Sequence, residues 1–503
     1  MIDKPHSDEA ARTPENLLLS NVRPPGYENP IPRERYDLVV IGAGAGGLVS
    51  SAIAAGLGAR VALVERHRLG GDCLNTGCVP SKGLIAAARS WQAARGSSAL
   101  FGGPAAEGPG DFRAAMDRMR RLRAAISPAD SVERFIGLGV DVFLGTARFA
   151  GPSRVEVDGA SLDFRRAVIA TGSRPALPAI EGLAESGCLD NTTLFDLEDA
   201  PARLVVIGAG PIGCEMAQCF SRFGSEVTLL ESAGEVLPRE DPEAAALVRA
   251  ALEEEGVRCV LGAELIEVEE SRRVHYRRGE AAEVAAGDEL LVAAGRVPNI
   301  GDLGLGSAGV GADDSGIIVD GQLRTDNPRI YAVGDVCSKE KFTHAADAQA
   351  RIAVQNALFF RRLEVRSLVI PRCTYTAPEL AHVGYSPEDA RLAGFEVDTL
   401  TVPMAESDRA VLDGEETGFL RLHLRRGSDR ILGATVVSSH AGELISEISL
   451  AITHKLGLRK LGGVIRPYPT RGEVLSRACG QWQRGRLGPG LRKILETFFG
   501  IFR

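Results

Sequence analysis

Residues 36–47 have the sequence YDLVVIGAGAGG, and this stretch decides the fold. An apolar, strand-like run leads directly into a turn in which Gly42, Gly44 and Gly47 have the spacing G-x-G-x-x-G. A small, apolar helical segment follows, and the chain then enters a second apolar strand that ends at Glu65. Strand, helix and strand in this order form a βαβ motif, with the glycine turn where the helix begins.

The same motif recurs at residues 202–232, ARLVVIGAGPIGCEMAQCFSRFGSEVTLLES. Gly208, Gly210 and Gly213 repeat the glycine spacing, and Glu231 follows the first glycine by 23 residues, as the acid does in the first copy. A single turn of this kind is a weak indication. Two turns with equally spaced acids predict two dinucleotide-binding sites.

Each feature of the motif has a physical reason. The first glycine makes the tight turn, the second lets the backbone approach a pyrophosphate, and the third lets helix and strand pack closely. The phosphates then meet the free N–H groups and the positive dipole at the N-terminus of the helix. We expect Glu65 and Glu231 to accept hydrogen bonds from ribose hydroxyls. In a motif that binds a nicotinamide cofactor, such a carboxylate favours NADH over NADPH, because it repels a 2′-phosphate.

Composition and charge exclude several classes of protein. The chain has 503 residues, 45% hydrophobic and 25% charged, which is a globular composition with room for roughly three domains. A net charge of -8 leaves no basic surplus for phosphates, so we expect no nucleic-acid partner. A polar N-terminus and no apolar run of about 18 residues predict a soluble, cytoplasmic protein. Its nine cysteines are then unsuited to a structural disulfide framework.

A cysteine pair follows the first motif directly, in the segment GGDCLNTGCVPSK. On an ideal helix the five-residue spacing of Cys73 and Cys78 separates them by about 140°, so a disulfide needs an irregular turn, which Asn75 to Gly77 can supply. A bridge that closes so short a loop stabilises the fold little. A zinc site needs two further ligands, and only His67 is near. A redox-active disulfide is therefore the favoured interpretation.

Together with ATGSRP (170–175), AAGRVPN (293–299) and YAVGDV (331–336), this segment resembles the class I flavoprotein disulfide reductases. That family includes dihydrolipoamide dehydrogenase, glutathione reductase and mercuric reductase, and the resemblance runs from about Tyr36 to Cys479. It implies an α/β fold with two Rossmann-like dinucleotide-binding domains, one for FAD and one for NAD(P)H, and a C-terminal α+β dimerisation domain. It also implies a homodimer with a shared active site.

On this basis the sequence is divided into six segments. They are an N-terminal arm at 1–35, the first part of the FAD-binding domain at 36–188, the NAD(P)H-binding domain at 189–300, a return segment of the FAD-binding domain at 301–365, the dimerisation domain at 366–483 and an amphipathic tail at 484–503. Apolar tail residues at helical spacing are Leu491, Ile494, Leu495, Phe498, Phe499 and Phe502. Docking on the protein's own surface is the preferred interpretation of the tail, and contact with a membrane surface is the alternative.

The resemblance also implies roles for individual residues. Those expected at FAD are Gly42, Gly44, Gly47, Glu65, Gly71, Asp72, Lys82, Gly145, Ala147, Thr171, Gly172, Asp335 and Thr343. Those expected at NAD(P)H are Gly208, Gly210, Gly213, Glu231 and Gly295. Cys78 is the sulfur nearer the flavin and Cys73 is the thiol that exchanges with substrate. Lys82, beside the flavin, pairs with Glu215, and no structural metal is expected.

One segment, IRPYPTRGEVLSRA, departs from the disulfide-exchanging members of the family, which have a histidine base where this chain has Tyr468. Glu473 keeps its place five residues later, and the resemblance implies that both residues complete the site across the homodimer. A tyrosine, with a pKa near ~10, is a poor general base at neutral pH. Mercuric reductase has a tyrosine in that place. His440 is a candidate replacement base, although a structural role is the preferred interpretation.

We therefore predict an enzyme that passes electrons from NAD(P)H through FAD and the Cys73–Cys78 disulfide to a thiophilic metal ion or a small disulfide. The alternatives within this class are a dihydrolipoamide dehydrogenase and a reductase of quinone-type acceptors. From a different class, the alternative is a slow-turnover redox sensor or partner-docking flavoprotein.

Overall fold

The structure of the chain is a computed structural model that describes residues 13–359 and 362–502. The packing of Cα atoms divides these residues into two units. The larger unit comprises the described residues up to Ser232 together with Ala263–Leu368, and the smaller unit comprises Ala233–Gly262 together with the described residues from Val369 onward. The segment boundaries proposed from the sequence remain predictions, and the first 12 residues of the arm lie outside the described residues.

Helices and strands alternate through most of the larger unit. Its elements are α1 (Pro14–Val22), β1 (Tyr36–Ile41), α2 (Ala45–Gly56), β2 (Val61–Glu65), α3 (Gly71–Asn75), α4 (Cys78–Phe101), α5 (Phe112–Ile126), α6 (Val132–Gly137), β3 (Val140–Leu144), β4 (Ala147–Gly151), β5 (Arg154–Val157), β6 (Ala160–Ile169), β7 (Ser173–Pro175), β8 (Arg203–Ile207), α7 (Pro211–Arg222), β9 (Glu226–Glu231), β11 (Glu264–Val268), β12 (Arg273–Arg278), β13 (Ala281–Ala286), β14 (Glu289–Val292), β15 (Arg296–Pro298), α9 (Leu305–Ala308), β16 (Ala312–Asp313), β17 (Gly316–Ile317), β18 (Ile330–Ala332) and α10 (Thr343–Leu358).

The smaller unit supplies the remaining elements. They are α8 (Pro242–Glu254), β10 (Arg258–Leu261), β19 (Arg372–Thr374), β20 (Glu379–Gly384), α11 (Pro387–Leu392), β21 (Val397–Pro403), α12 (Asp408–Asp413), β22 (Phe419–Arg425), β23 (Ile431–Ser438), α13 (Ala441–Thr453), α14 (Leu458–Leu461), α15 (Glu473–Gly485) and α16 (Pro489–Ile501).

The first βαβ motif lies at the centre of a largely parallel sheet. The strand order is β3-β2-β1-β6, with β18 also pairing β6 and with β5 and β4 added antiparallel on the far side of β6. Alternate residues of β1 enter two separate cores, since Leu38 and Val40 pack on one side of the sheet whereas Val39 and Ile41 pack on the other. A strand buried on both faces is apolar throughout, which explains the unbroken run before the glycines.

The second motif repeats this arrangement. Strands β9, β8 and β14 pair in parallel in that order, as β2, β1 and β6 do in the first sheet. An antiparallel meander leads to the returning strand in both copies. In the first copy β4 and β5 lead into β6, which is itself the returning strand, and in the second copy β11, β12 and β13 come before β14. The two Rossmann-like motifs predicted from the glycine spacing are therefore present.

The N-terminal arm is more closely packed than the sequence suggested. Its helix α1 begins after Thr13, whose hydroxyl accepts a hydrogen bond from the Asn16 amide. Leu18 and Val22 of α1 are 1% and 0% exposed and belong to the core on one side of the first sheet. Further along the arm, the Tyr27 hydroxyl donates to a backbone carbonyl of β3. Part of the arm predicted at 1–35 is therefore core.

The smaller unit is built around an antiparallel sheet with the strand order β19-β20-β23-β22-β21. Strands β22 and β23 form an antiparallel hairpin, and α13 packs against β20 and β23. The side chains of α13 that face this sheet, including Ile445 and Ile448, are buried with those of β20, β22 and β23. A mixed α/β unit followed by an antiparallel α+β unit confirms the predicted fold class.

Candidate active site

The first glycine turn is shaped by backbone crowding. Gly42 has a φ of 97°, which a residue with a side chain rarely adopts. A Cβ atom on Gly47 would lie 1.8 Å from the Gly42 carbonyl oxygen, so only glycine allows this approach. Gly44 caps the N-terminus of α2, and Glu65 accepts a hydrogen bond of 2.7 Å from the Ala43 amide. The turn thus offers helix amides to an anion and holds a carboxylate at the end of the next strand.

The second turn has the same geometry. Gly208 has a φ of 99°, and a Cβ atom on Gly213 would lie 1.9 Å from the Gly208 carbonyl oxygen. Gly210 caps α7, and Glu231 accepts a hydrogen bond of 2.7 Å from the Ala209 amide. Both cradles have the backbone shape that a dinucleotide pyrophosphate requires, with an acid placed for the ribose. The residues present therefore fit two dinucleotides.

Two short helical segments hold the cysteine pair. Left-handed Gly70 and Gly71 begin α3, which carries Cys73 and ends at Asn75, and the chain then breaks before α4 begins at Cys78. A Cβ atom on Gly71 would lie 2.7 Å from the Gly44 Cα atom, so the cysteine segment is packed directly against the first glycine turn. The irregular turn that the cysteine spacing demanded is present.

The two thiols have opposite electrostatic environments. Cys78 is the first residue of α4, and its sulfur lies 3.6 Å from the Thr343 hydroxyl at the start of α10. Its pKa is lowered to about 6, chiefly by a hydrogen bond from Cys73 and, against the effect of burial, by the Thr343 hydroxyl and the positive charge of Lys82. The pKa of Cys73 is raised by the same hydrogen bond and by burial. Both pKa shifts favour a thiolate at Cys78 over a thiolate at Cys73.

Lys82 and Glu215 form an ion pair between the helix that begins at Cys78 and the helix that follows the second glycine turn. Lys82 Nζ on α4 lies 2.6 Å from Glu215 Oε2 on α7, and the two helices pack against each other. The Glu215 side chain is only 4% exposed, and its buried charge is stabilised by this pairing. The pairing suggested by the resemblance is present as a contact, one helical turn beyond Cys78.

Arg296 organises a polar network that the sequence analysis did not identify. Its guanidinium contacts the Asp72 carboxylate and donates a hydrogen bond of 2.6 Å to the Ser173 hydroxyl. Ser173 in turn donates to the Asp335 carboxylate at 2.6 Å, and Arg296 Nε lies 3.6 Å from the same carboxylate. Two expected FAD residues, Asp72 and Asp335, are thereby joined. Arg296 and Ser173 belong to the AAGRVPN and ATGSRP motifs, so their signal was present in the sequence.

Four further residues expected at FAD are Thr171, Gly172, Gly145 and Ala147. Asn299 and Thr171 exchange side-chain hydrogen bonds with each other's carbonyl oxygens at 2.8 and 2.9 Å, and the Asn299 amide donates to the Gly172 carbonyl. The Gly145 amide donates to the Glu65 carbonyl, which ties it to the end of β2, and Ala147 begins β4.

Gly295, expected at NAD(P)H, lies in the chain between β14 and β15. It has a φ of 117°, and its carbonyl oxygen accepts a hydrogen bond from the Ala176 amide. A glycine is therefore required at this position by the backbone conformation alone.

Tyr468 and Glu473 lie in the smaller unit and have separate partners. The Tyr468 hydroxyl donates a hydrogen bond of 2.8 Å to the Asp408 carboxylate, which raises the pKa of the phenol. Glu473 begins α15 and accepts a hydrogen bond of 2.7 Å from Arg477. Tyr468 is 72% exposed. The sequence analysis missed Asp408, since nothing in the local pattern connects residues 60 positions apart.

His440 and the tail complete the residues singled out from the sequence. His440 is an exposed residue in left-handed conformation immediately before α13. The predicted tail helix is α16, and its side chains Ile494, Phe498 and Phe499 are 64%, 51% and 57% exposed. The preferred interpretation, docking on the protein's own surface, was therefore wrong for these side chains. The side chain of Leu491 lies outside the described residues.

Two searches over the described residues bear on membranes and metals. None of the helices at 13–359 and 362–502 combines the length and apolarity that crossing a bilayer requires. Within the same residues, no cluster of three or more His, Cys, Asp and Glu side chains has the arrangement of a metal site.

Known proteins match nearly the whole chain. Residues 36–350 match the family described as pyridine nucleotide-disulphide oxidoreductase, and residues 370–479 match its dimerisation domain. A mercuric reductase from Lysinibacillus sphaericus is 35% identical over 89% of this chain and 83% of its own length. A dihydrolipoyl dehydrogenase from Thermus scotoductus is 36% identical over 88% of this chain and 96% of its own length.

A solved structure agrees with these matches. The copper(II) complex of the HOCl-induced flavoprotein disulfide reductase RclA from Escherichia coli superimposes with a TM-score of 0.78 at 28% identity, over 89% of this chain and all of the other. The matches in sequence and in fold thus support the same family as the local features do. Those features are the paired glycine turns, the Cys73 and Cys78 thiols and the antiparallel C-terminal sheet. The chain belongs to the pyridine nucleotide-disulphide oxidoreductase family, in a mercuric reductase-like or dihydrolipoyl dehydrogenase-like form.

Proposed function

We propose that this enzyme uses NADH to reduce a thiophilic metal ion through FAD and the Cys73–Cys78 pair, with a small disulfide as the second class of acceptor. The observation that carries the proposal is the environment of Cys78. A thiol at a helix N-terminus, beside Thr343 and the Lys82–Glu215 pair, is stabilised as a thiolate at neutral pH. We place the enzyme in the cytoplasm, where NADH is available and exposed thiols stay reduced.

The proposed FAD site is the first glycine turn together with the network around Asp335. Gly42, Gly44 and Gly47 would hold the pyrophosphate, and Glu65 the ribose. The remaining residues proposed for this site are Gly71, Asp72, Lys82, Gly145, Ala147, Thr171, Gly172, Asp335 and Thr343. FAD, when bound, supplies the two-electron exchange between a hydride donor and the thiol pair.

The proposed NADH site is the second glycine turn. Gly208, Gly210 and Gly213 would hold its pyrophosphate, and Gly295 would lie beside it. Glu231 favours NADH because its carboxylate accepts hydrogen bonds from ribose hydroxyls and repels a 2′-phosphate. The preference of this turn for NADH over NADPH therefore depends on one side chain.

The two thiols would divide the chemistry between them. In the reductive half, NADH and one proton convert the disulfide into two thiols, and NAD⁺ leaves. In the oxidative half, two electrons pass from the thiol pair to a divalent metal ion, the disulfide re-forms, and two protons are released. Cys78 holds the thiolate beside Lys82, whereas Cys73 exchanges with the acceptor. The atoms, charges and electrons balance without any further reactant.

The acceptor class follows from Tyr468. We propose that in the homodimer suggested by the dimerisation domain, Tyr468 and Glu473 of one chain complete the site of the other. A thiol–disulfide acceptor needs a base to move a proton, whereas a metal ion bound by thiolates does not. The Tyr468 hydroxyl already donates to Asp408, and its raised pKa makes it a poorer base still. These properties favour a metal ion over dihydrolipoamide.

Turnover measured with a panel of electron acceptors tests this proposal. We expect NADH oxidation to be fastest with Hg(II) buffered by a thiol, slower with glutathione disulfide and slowest in the lipoamide reaction. Tyr468→His should raise the lipoamide rate, since general-base catalysis is worth ~10²–10⁴-fold, and should leave the Hg(II) rate unchanged. Tyr468→Phe is the matched control, because it removes the hydroxyl without adding a base.

Three outcomes contradict the proposal in different ways. A wild-type lipoamide rate equal to or above the Hg(II) rate identifies a dihydrolipoamide dehydrogenase. Fast quinone reduction that survives in Cys73→Ser, with no metal reduction in the wild type, identifies an enzyme whose acceptor bypasses the thiols. Uniformly slow turnover with every acceptor identifies a redox sensor or docking flavoprotein.

A further inference from the structure

The loop between the two cysteines is held by an arginine whose acidic partner lies before the family domain. Its last helical residue, Asn75, offers its carbonyl oxygen to Arg123 Nη1 on α5 at 2.8 Å. The other end of the same guanidinium, Nη2, lies 2.8 Å from the Glu15 carboxylate on α1. The family match begins at residue 36, so Glu15 lies before it. We propose that Glu15 is a positioning residue for the redox-active loop, acting through Arg123 on the backbone of Asn75.

Arg123 depends on Glu15 because it is buried. Its side chain is only 6% exposed, and this burial lowers the pKa of the guanidinium while the nearby carboxylate of Glu15 raises it. Buried cations are retained when paired and hydrogen-bonded, and removing one member of such a pair leaves the other uncompensated. Glu15 also lies 3.0 Å from Arg68, so one carboxylate holds two arginines in place. Without it, the two like charges would face each other.

The contact with Asn75 helps to fix the loop that separates the two thiols. A carbonyl at the end of a helix has no intrahelical donor, so α3 needs a partner for its last residue. The Asn75 side chain donates to the carbonyls of Leu69 and Gly71 at 2.9 Å, and Asn191 donates to the Thr76 carbonyl at 3.1 Å. The loop between Cys73 and Cys78 is therefore fixed at successive carbonyls, and Arg123 holds the first of them.

Glu15 is itself placed by a rigid helix. Leu18 and Val22, on the same helix, are buried in the core, and Asn21 donates a hydrogen bond of 2.8 Å to the Ser127 hydroxyl at the end of α5. Arg23, just after the helix, donates to the Arg66 carbonyl at 2.7 Å. A carboxylate on such a helix can define the position of a guanidinium, which in turn defines the position of the loop.

The pH dependence of Cys78 reports the position of the loop, and the inference rests on the proposed redox role of that thiol. The hydrogen bond from Cys73 is the largest cause of the low pKa of Cys78, so a loop that relaxes should weaken it. The other groups that face the pair are Thr343, Lys82, Glu215 and Asp130. None of these four groups is an ion-pair partner of Glu15, whose carboxylate pairs with Arg68 and Arg123.

The test measures the alkylation of Cys78 by iodoacetamide between pH 4 and 9, resolved by peptide mass spectrometry on the reduced full chain with its flavin bound. In the wild type we expect a midpoint at about 6. Glu15→Ala should move the midpoint upward, and a shift of one unit lowers the rate at pH 6 about fivefold. Glu15→Gln keeps a hydrogen-bond acceptor without the charge, so its midpoint should lie between those of the wild type and Glu15→Ala. Glu34→Ala, an exposed acid of the same arm, should leave the profile unchanged.

The outcomes separate this inference from the proposed function. A wild-type midpoint near the ordinary thiol value of ~8.5 overturns both, because Cys78 is then no stabilised thiolate. A wild-type midpoint near 6 that stays unmoved in Glu15→Ala and in Glu15→Gln overturns the positioning role alone. A lower melting temperature with an unchanged profile also overturns it, since Glu15 would then support only the fold. Should Glu15→Ala fail to fold, Glu15→Gln and Arg123→Lys carry the test.

Discussion

The two glycine turns agree in φ angle, helix cap and carboxylate hydrogen bond, but they differ in what packs over them. Beyond Glu65 the chain turns back at Gly71, where an added Cβ would lie 2.7 Å from Gly44 Cα. In the second copy, an added Cβ on Gly210 would meet no atom of the described residues within 4 Å. The first turn is therefore enclosed by its own chain and the second is open. Enclosure suits a cofactor that stays bound, whereas openness suits a nucleotide that enters and leaves in each cycle.

The largest effect that would test this comparison comes from Gly44→Ala against Gly210→Ala. Each new methyl group is tolerated by the protein itself, since the nearest atom to a Cβ on Gly44 is at an ordinary 3.8 Å. Gly44→Ala should be purified with little flavin and a lower melting temperature, because a ligand at 100 to 1,000 times its Kd contributes about 2.7–4.1 kcal/mol. Gly210→Ala should keep its yellow colour, with KM for NADH raised about tenfold, or roughly 1.4 kcal/mol. Flavin loss in both variants would contradict the assignment.

A smaller effect should distinguish the two acids. Glu65 and Glu231 accept equivalent hydrogen bonds from their own turns, yet only Glu231 should discriminate between NADH and NADPH. Glu231→Gln removes the charge that repels a 2′-phosphate, so the ratio of kcat/KM for NADH over NADPH should fall about tenfold. Glu65→Gln is the matched control and should leave this ratio unchanged. A change of the ratio in Glu65→Gln would mean that the two sites had been exchanged.

The smallest effect concerns the ion pair between Lys82 on α4 and Glu215 on the helix of the second motif. The positive charge of Lys82 lowers the pKa of Cys78, whereas Glu215 raises it. Lys82→Met should therefore move the alkylation midpoint of Cys78 above about 6, and Glu215→Gln should move it below. At pH 6 the alkylation rate should fall roughly two- to fivefold in the first variant and rise by less than about twofold in the second. Shifts in the same direction in both variants would show that packing, and not charge, controls the thiol.

The fold could be predicted because its signals are local. Apolar runs, glycine spacings and the acid at the strand end all lie within 31 residues of chain, and the backbone itself requires them. The irregular turn between the two cysteines could also be predicted, because a disulfide at their spacing requires a broken helix. For the arm, the Thr13-Pro14 start of α1 was a readable helix signal that the sequence analysis did not use.

The parts of the site that were missed depend on contacts between distant residues. Arg296 meets Asp72 across 224 positions, and Arg123 meets Glu15 across 108. Any of the chain's many arginines could pair with any of its acids, so only the folded backbone selects these partners. The tail shows what a local pattern alone cannot predict. Its helical apolar stripe was correctly predicted, but periodicity does not specify what an apolar face contacts, and the expected docking was wrong.

The Lys82–Glu215 contact has a consequence for how such enzymes can be recombined. The lysine belongs to the chain that follows the first motif and the acid lies 133 residues later, inside the second. A gene exchange that replaced the nucleotide module at 203–231 with one lacking an acid at position 215 would leave a cation beside the redox pair and an unmatched helix surface. The two segments can therefore be exchanged between enzymes only when the new combination still supplies both the lysine and the acid of this contact. This one pair limits which chimaeras selection can retain.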